Sequence, residues 1–202
     1  MGVGVRNRQS GSRGRQLGTR AVVLIGFMGA GKSSVGRALA DLLGWKFEDL
    51  DERIERRELR KVHEIFRELG ESEFRRAEHE ALQEVMGELR KGAAKVVALG
   101  GGAFVQERNA ALIAKEVPTV FLDASVEELW RRCQLQAEEV GVERPLLRAW
   151  ESFCELYDER RLYYLKASLR QETGGKTVKQ IAEEVMQALG LERGLGKAGE
   201  KQ

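Results

Sequence analysis

Between Ala21 and Ala40 the chain reads AVVLIGFMGAGKSSVGRALA. Five apolar residues, Ala21–Ile25, describe a strand buried on both faces. They end in Gly26-Phe27-Met28-Gly29-Ala30-Gly31-Lys32-Ser33, and a helical repeat of apolar positions follows over Lys32–Leu43. Glycines at a strand end let the backbone curl so that several N–H groups face one point, and the start of a helix adds the positive end of its dipole. The run fits GxxxxGK[ST] in its required setting, strand before and helix after. In that pattern Lys32 reaches the β- and γ-phosphates of a nucleotide and the Ser33 hydroxyl faces Mg²⁺. Gly29, Ala30, Gly31, Lys32, Ser33 and Ser34 are the predicted nucleotide-binding residues.

Apolar runs and helical patterns alternate along the rest of the chain. Strands are predicted at Ala21–Ile25, Trp45–Leu50, Lys95–Leu99 and Thr119–Leu122, with a weaker one at Ala167–Gln171. Helices are predicted at Lys32–Leu43, Glu52–Glu58, Val62–Leu69, Ser72–Arg90, Glu107–Lys115, Val126–Cys133, Ala149–Leu165 and Val178–Leu189. Strands separated by helices make βαβ units and a parallel sheet, an α/β fold. Ligands of such sheets bind beyond the carboxyl ends of the strands.

The 202 residues suit a single domain. It is expected over 21–191, between a basic tail at 1–20 and a flexible tail at 192–202. The first twenty residues hold five arginines and no acid, so the formal net charge of +2 conceals a body near −3. That balance argues against bulk attraction to nucleic acid or to a membrane surface. No run approaches the length of a membrane span, and the amino terminus lacks the apolar stretch of a secretory signal. Cys133 and Cys154 form no CxxC pair. Reduced thiols and a cytoplasmic location are expected.

The later strand ends carry the chemistry. Trp45–Phe47 runs into Glu48-Asp49-Leu50-Asp51, two carboxylates two residues apart. One carboxylate suits the waters of Mg²⁺ and the other a substrate hydroxyl and its proton. Alternatively, Asp51 simply caps the helix that follows. In Phe74-Arg75-Arg76-Ala77-Glu78, Arg75 and Glu78 sit at i, i+3 and can pair, either as a solvated surface bridge or to steady Arg75 for bidentate binding of a carboxylate. Val96-Val97-Ala98-Leu99 ends in Gly100-Gly101-Gly102. A tight turn needs one glycine, and three indicate a close approach of backbone to something else. A GTPase or motor ATPase would place an acid at this strand end, and none is there.

Taken together, GFMGAGKSSVGR, then DLD, FRRAE, LGGGA and RPLL resemble the shikimate kinase family over about Ala21 to Leu191. The phosphate loop is generic, whereas the FRxxE, GGG and RPLL set is specific. The resemblance implies a three-layer α/β/α P-loop kinase fold with a central five-stranded parallel sheet, substrate-binding helices and a mobile lid at about 134–146. It implies transfer of the ATP γ-phosphoryl group to the 3-hydroxyl of shikimate, with Mg²⁺, in a monomer that binds neither nucleic acid nor membrane. Residue by residue it assigns Lys32 to the phosphates, Ser33 and Asp49 to the metal, and Asp51 to the substrate hydroxyl and its proton. Arg75 and Arg160 go to the shikimate carboxylate, and Gly100, Gly101 and Gly102 to the pocket wall. Arg132 goes to adenine and Arg144 to the transferred phosphate. Gln134–Val142, polar and without a core-facing period, fits a closing loop.

The chain departs from the family pattern at Ser34, at Leu59 and Lys61, and in lacking a proline at Arg160–Tyr164 and another at Gly174-Gly175-Lys176. Tyr163-Tyr164 leaves the register open by one residue, with Glu159 as the alternative to Arg160. A gluconate kinase of the same fold, an idle nucleotide-binding module and a nucleic-acid-binding ATPase are the rival readings. The first would lack FRxxE with GGG and RPLL, the second would have lost catalytic positions, and the third would carry a basic face. His63 and His79 read as ordinary helix residues and Trp130 and Trp150 as packing. Trp45 reads as packing too, with a place beside the substrate pocket as its alternative.

Overall fold

The computed structural model describes residues 20–114, 116–140 and 149–194. Five strands, β1 (Ala21–Ile25), β2 (Lys46–Asp49), β3 (Lys95–Ala98), β4 (Thr119–Asp123) and β5 (Leu169–Glu172), form one sheet in the order β2-β3-β1-β4-β5. Every neighbouring pair is parallel. The three middle strands are buried along their whole length: β1 is apolar throughout, while β3 opens on Lys95 and β4 has Thr119 and Asp123 at its ends; the edge strands β2 and β5 are mixed along their length.

The helices are α1 (Lys32–Leu43), α2 (Leu50–Glu58), α3 (Val62–Arg90), α4 (Glu107–Ala114), α5 (Val126–Val140), α6 (Trp150–Tyr164) and α7 (Val178–Ala188), with a 3₁₀ turn at Ala103–Val105. Parallel crossovers are right-handed, so strand order decides the layers. The step from β1 to β2 runs one way along the sheet and puts α1 on one face. The steps β2 to β3, β3 to β4 and β4 to β5 run the other way and put α3, α4 and α6 on the opposite face. α7 follows β5 back onto the face of α1, where the two helices pack together. The chain leaves β1 toward one face and β3 toward the other, which opens a crevice at their carboxyl ends.

Glycine lets one layer close up. A Cβ on Gly36 would lie 2.4 Å from Phe47 Cε2, so α1 settles onto β2 where it has no side chain. The opposite face is held by charge. Glu48 on β2 is buried and accepts from Arg53 Nε (3.0 Å), Arg56 Nη2 (2.7 Å) and Lys95 Nζ (2.7 Å). Arg53 Nη2 and Lys95 Nζ also bond Glu88, tying β2 and β3 to α2 and α3. Burial alone would raise the Glu48 pKa, but the hydrogen bonds from Arg53 and Lys95 bring it down to about 2.

Several elements differ from expectation. β2 stops at Asp49, and Leu50 already begins α2, so Asp51 lies in the first helical turn and not on the strand. The two helices expected at 62–69 and 72–90 run end to end and break only at Gly70 (φ 83°). The stretch expected as a loop from Gln134 continues α5 to Val140. Gln134, Leu135, Gln136 and Glu138 are exposed there, and a helix projecting into water needs no apolar stripe. Residues 141–146 of the expected lid, and Lys115 at the expected end of α4, lie outside the described residues. The tails expected at 1–20 and 192–202 begin tethered: Lys95 N donates to Arg20 O (2.9 Å) and Gly194 N to Leu42 O (3.0 Å).

The Glu48 cluster generates a stability prediction. Its folded pKa lies below the ordinary 4.5, so its contribution stands in full above that pH and is lost as the pH falls toward 2. Glu48→Gln is expected to lower unfolding free energy by about 1–3 kcal/mol at pH 7. The loss should be smaller at pH 3, as urea unfolding at the two pH values would measure.

Candidate active site

The carboxyl ends of β1, β2 and β3 bring four short segments together. The loop after β1 depends on glycine for conformation, with Gly29 at φ 76° and Gly31 at φ 86°. Gly29 also leaves no room, since a Cβ there would stand 2.8 Å from Cys133 Sγ and from Leu129 O. Gly31 starts α1 with no side-chain cap, so the first-turn N–H groups of Lys32, Ser33 and Ser34 face the loop. Lys32 Nζ folds under it and donates to Gly26 O and Phe27 O, both at 2.9 Å. Desolvation lowers the Lys32 pKa to about 8, against the pull of the Asp51 and Asp49 carboxylates.

Asp49 links this loop to the second segment. Its Oδ2 accepts from Ser33 Oγ (2.7 Å) and its Oδ1 from Asp51 N (3.0 Å). Asp49 is therefore the cap of α2, the task that sequence offered to Asp51 as its structural alternative. Released from capping, the Asp51 carboxylate turns inward against Gly100, where a Cβ would lie 2.6 Å from Oδ1. Among the described residues, Asp51 Oδ1 is the buried side-chain oxygen that has no hydrogen-bond partner. Burial, and next the Asp49 charge, raise its pKa to about 6, with Lys32 and Arg75 opposing.

Arg75 lies on α3 with Nη1 donating to Glu78 Oε2 (3.0 Å) and Nη2 to Glu71 Oε1 (3.1 Å). Glu78 is 1% exposed, so the pair is no solvated surface bridge, and burial raises its pKa. The guanidinium lies flat on the third segment. A Cβ on Gly102 would be 2.6 Å from Arg75 Nη2. None of Gly100, Gly101 and Gly102 has a positive φ. They are glycines for space, and what approaches them is Asp51, Arg160 and Arg75 in turn.

The fourth segment is α6. Arg160 Nη1 would be 3.3 Å from a Cβ on Gly101, and the guanidinium carbon sits 5.9 Å from the Phe27 ring centre. Arg161 instead bonds Asp123 (3.4 Å), and Glu159 is exposed. Arg160 is thus the α6 side chain at the glycine turn. Arg132, on α5 beside Gly29, donates to Glu128 (2.8 Å) and to Thr173 Oγ1 (3.2 Å) in the segment after β5. Arg144 lies outside the described residues.

Of the two places open to Trp45 the structure takes packing against the core, and the contacts of three residues went unread. Trp45 lines an open cleft of about 650 Å³ with Lys46, Lys91 and Ala94 at the amino ends of β2 and β3, the far end of the sheet from the crevice. A chain entering a strand cannot border a site at that strand's exit. His79 bonds the fully buried Asn109, and Tyr164 donates to Gly101 O. The available sequence signal was Asn109 itself, a polar residue one turn before Ile113 on the buried side of α4. Among the described residues no cluster of three His, Cys, Asp or Glu side chains could hold a metal ion by itself. A cation beside Ser33 and Asp49 would need oxygens from a nucleotide and water as well, the usual arrangement for Mg²⁺.

A glycine loop opening a helix at the switch point of a parallel sheet, with an inward carboxylate facing it, defines a P-loop kinase. Within that class the chain belongs to the shikimate kinase family, whose model matches residues 28–190. The shikimate kinase of Cereibacter sphaeroides is 40% identical over 197 residues, 94% of each chain. That of Geobacter metallireducens is 41% identical over 169 residues, 82% of this chain and 89% of the relative. A solved shikimate kinase from Acinetobacter baumannii, in complex with shikimate, superposes with TM-score 0.74 at 32% identity over 84% of this chain and 92% of its own. A gluconokinase from Sinorhizobium meliloti shares the fold at TM-score 0.56 but only 18% identity.

The tight contact between Asp51 and Gly100 is open to direct measurement. The Asp51 carboxyl carbon should titrate with a midpoint near pH 6 in the wild-type chain by NMR. In Gly100→Ala the added methyl pushes the carboxylate toward water, and the midpoint should fall toward the ordinary 3.8.

Proposed function

We propose that this chain transfers the γ-phosphoryl group of ATP to the 3-hydroxyl of shikimate, giving shikimate 3-phosphate and ADP in aromatic amino-acid biosynthesis. One observation carries the mechanism: a carboxylate oxygen, buried and without a partner, at the meeting point of the phosphate loop and the glycine turn. An unpaired buried acceptor is costly, and a substrate hydroxyl placed there satisfies it.

In this reading Gly29, Ala30, Gly31, Lys32, Ser33 and Ser34 bind the phosphates through backbone N–H groups and the lysine ammonium. Lys32 exchanges its carbonyl partners Gly26 and Phe27 for phosphate oxygens, and its charge is held in place beforehand. Arg132 flanks the adenine. Arg75, steadied by Glu78, and Arg160 grip the acceptor's carboxylate, which turns the hydroxyl toward Asp51. The backbone of Gly100, Gly101 and Gly102 forms the wall between them. As the hydroxyl oxygen bonds to the γ-phosphorus, the bond to the β–γ bridging oxygen breaks and Asp51 takes the hydroxyl proton. Arg144 is assigned to the transferred phosphate. Ser33 and Asp49 present the hard oxygen donors that suit Mg²⁺, which would supply charge neutralisation across the β- and γ-phosphates.

No helix among the described residues is long and apolar enough to cross a membrane. We place the enzyme in the cytoplasm as a monomer that acts on small molecules and binds neither nucleic acid nor membrane.

ADP release with Mg-ATP should be fast with shikimate and at background with gluconate or with no acceptor. Release with gluconate alone would overturn the acceptor. Arg75→Ala should raise the KM for shikimate by about 10- to 100-fold, the worth of a charge-assisted bidentate contact, and leave that for ATP within about twofold.

The two shifted groups set the pH profile. Asp51 must be ionised to accept a proton, and Lys32 must be protonated to hold phosphate. kcat/KM for ATP should therefore rise through about pH 6 and fall above about pH 8. Asp51→Asn should lower kcat by about 10²- to 10⁴-fold and remove the acid limb from the remaining activity.

A further inference from the structure

Asn109 is fully buried on α4, yet it neither faces the crevice nor belongs to a strand end. Both ends of its amide are used. Nδ2 donates to Ala103 O (3.0 Å), the first carbonyl beyond the glycine turn, and Oδ1 meets His79 Nδ1 (2.7 Å) on α3. A flipped amide would put its oxygen against the Ala103 carbonyl, so the orientation is determined by its neighbours. With Oδ1 as acceptor, His79 Nδ1 carries the proton. His79 is one turn beyond Arg75 and adjacent to Glu78 on the same helix.

We infer that Asn109 and His79 form a positioning strut for the acceptor pocket, setting the distance between the Gly100–Gly102 turn and the α3 helix that carries Arg75. The geometry makes that distance critical. Arg75 lies so close over Gly102 that a single methyl there would collide with it, so a shift of less than an ångström changes how the guanidinium rests. Arg75's guanidinium does not hold the turn, because its hydrogen bonds go to Glu71 and Glu78 of its own helix; its backbone carbonyl accepts from Arg108 Nη2 (2.6 Å) at the exposed start of α4, which ties the helices and not the glycine turn. Packing in this region is continuous from α3 through the 3₁₀ turn to α4, but packed surfaces slide, while two hydrogen bonds of fixed length do not.

Tyr164 completes the device from the other side. Its hydroxyl donates to Gly101 O and its ring is buried against Phe121, while Arg160 Nη1 also lies against Gly101. The glycine turn is thus pinned by α4 on the Arg75 side and by α6 on the Arg160 side. Each of the two arginines is referenced to the same few backbone atoms. A pocket for one carboxylate gripped by two arginines needs that common reference.

The kinetic part of this inference rests on the proposed acceptor, so the test has a second, acceptor-independent readout. Asn109→Ala, His79→Ala, His79→Gln and the double alanine variant would be compared with the wild type. Amide hydrogen exchange of the peptide spanning Leu99–Gln106, in the absence of any ligand, should quicken about tenfold in both alanine variants. In turnover assays their KM for shikimate should rise about tenfold, with the KM for ATP within twofold of wild type. His79→Gln retains an amide donor and should restore both values. The double variant should be no worse than Asn109→Ala alone, since the two act as one unit. Unchanged exchange at the turn in His79→Ala, whose residue is only half-buried and whose loss spares the core, would overturn the inference whatever the acceptor. So would a KM for ATP that climbs in step with that for shikimate. A wild-type enzyme inactive on shikimate, with exchange behaving as expected, would instead overturn the acceptor and leave the strut standing.

Discussion

The rest of the site is arranged around the desolvation of one carboxylate. Asp51 reaches its position because Asp49 takes over the helix cap, and it is buried because Gly100 has no side chain to keep it out. The same burial raises its pKa toward neutrality, where a group can accept a proton at working pH and pass it on. Lys32 and Arg75 stand near enough to oppose that shift without cancelling it. Were Asp51 solvated, it would be an ordinary carboxylate and a weaker base; were it ion-paired outright, it would be weaker still.

Around this centre the chain uses glycine in two physically different ways. In the loop after β1 the glycines hold left-handed backbone that other residues resist. In the turn after β3 the backbone is ordinary and the glycines serve only to be thin. Both devices bring main-chain atoms to within contact of charged side chains, where fixed dipoles act in a poorly hydrated space. The fold gives several of these charges a partner, Glu78 for Arg75 and Ser33 for Asp49, and leaves Asp51 Oδ1 without one.

Much of this was legible in the residues. An apolar run into GxxxxGKS marks a buried strand and its phosphate loop because local sterics and hydrogen bonding decide both. The alternation of strands and helices dictated a parallel sheet. Boundaries slipped where short-range rules compete. Asp49 and Asp51 are both good caps, and only the end of β2 pairing chooses between them. The polar stretch from Gln134 has no face to bury, which looks the same in sequence whether it is a loop or a helix standing in water.

Lys32, Ser33, Asp49, Asp51, Arg75 and the three glycines stand out as candidates by sequence alone, because each lies directly after a strand, at a helix start or, for Arg75, just past the Gly70 break, and the structure brings them together. Which α6 arginine turns inward was settled only by tertiary structure, since Arg160 and Arg161 are adjacent and helix phase against the sheet sends one to Gly101 and the other to Asp123. The same holds for the Asn109–His79 contact and for the buried state of Glu78, which depend on residues thirty apart or on whole layers closing over them. Sequence records what a residue can do over a few neighbours. How far a charge is taken from water, and so its pKa and its partners, is a property of the packed layers, and it existed only once the sheet had brought those layers together.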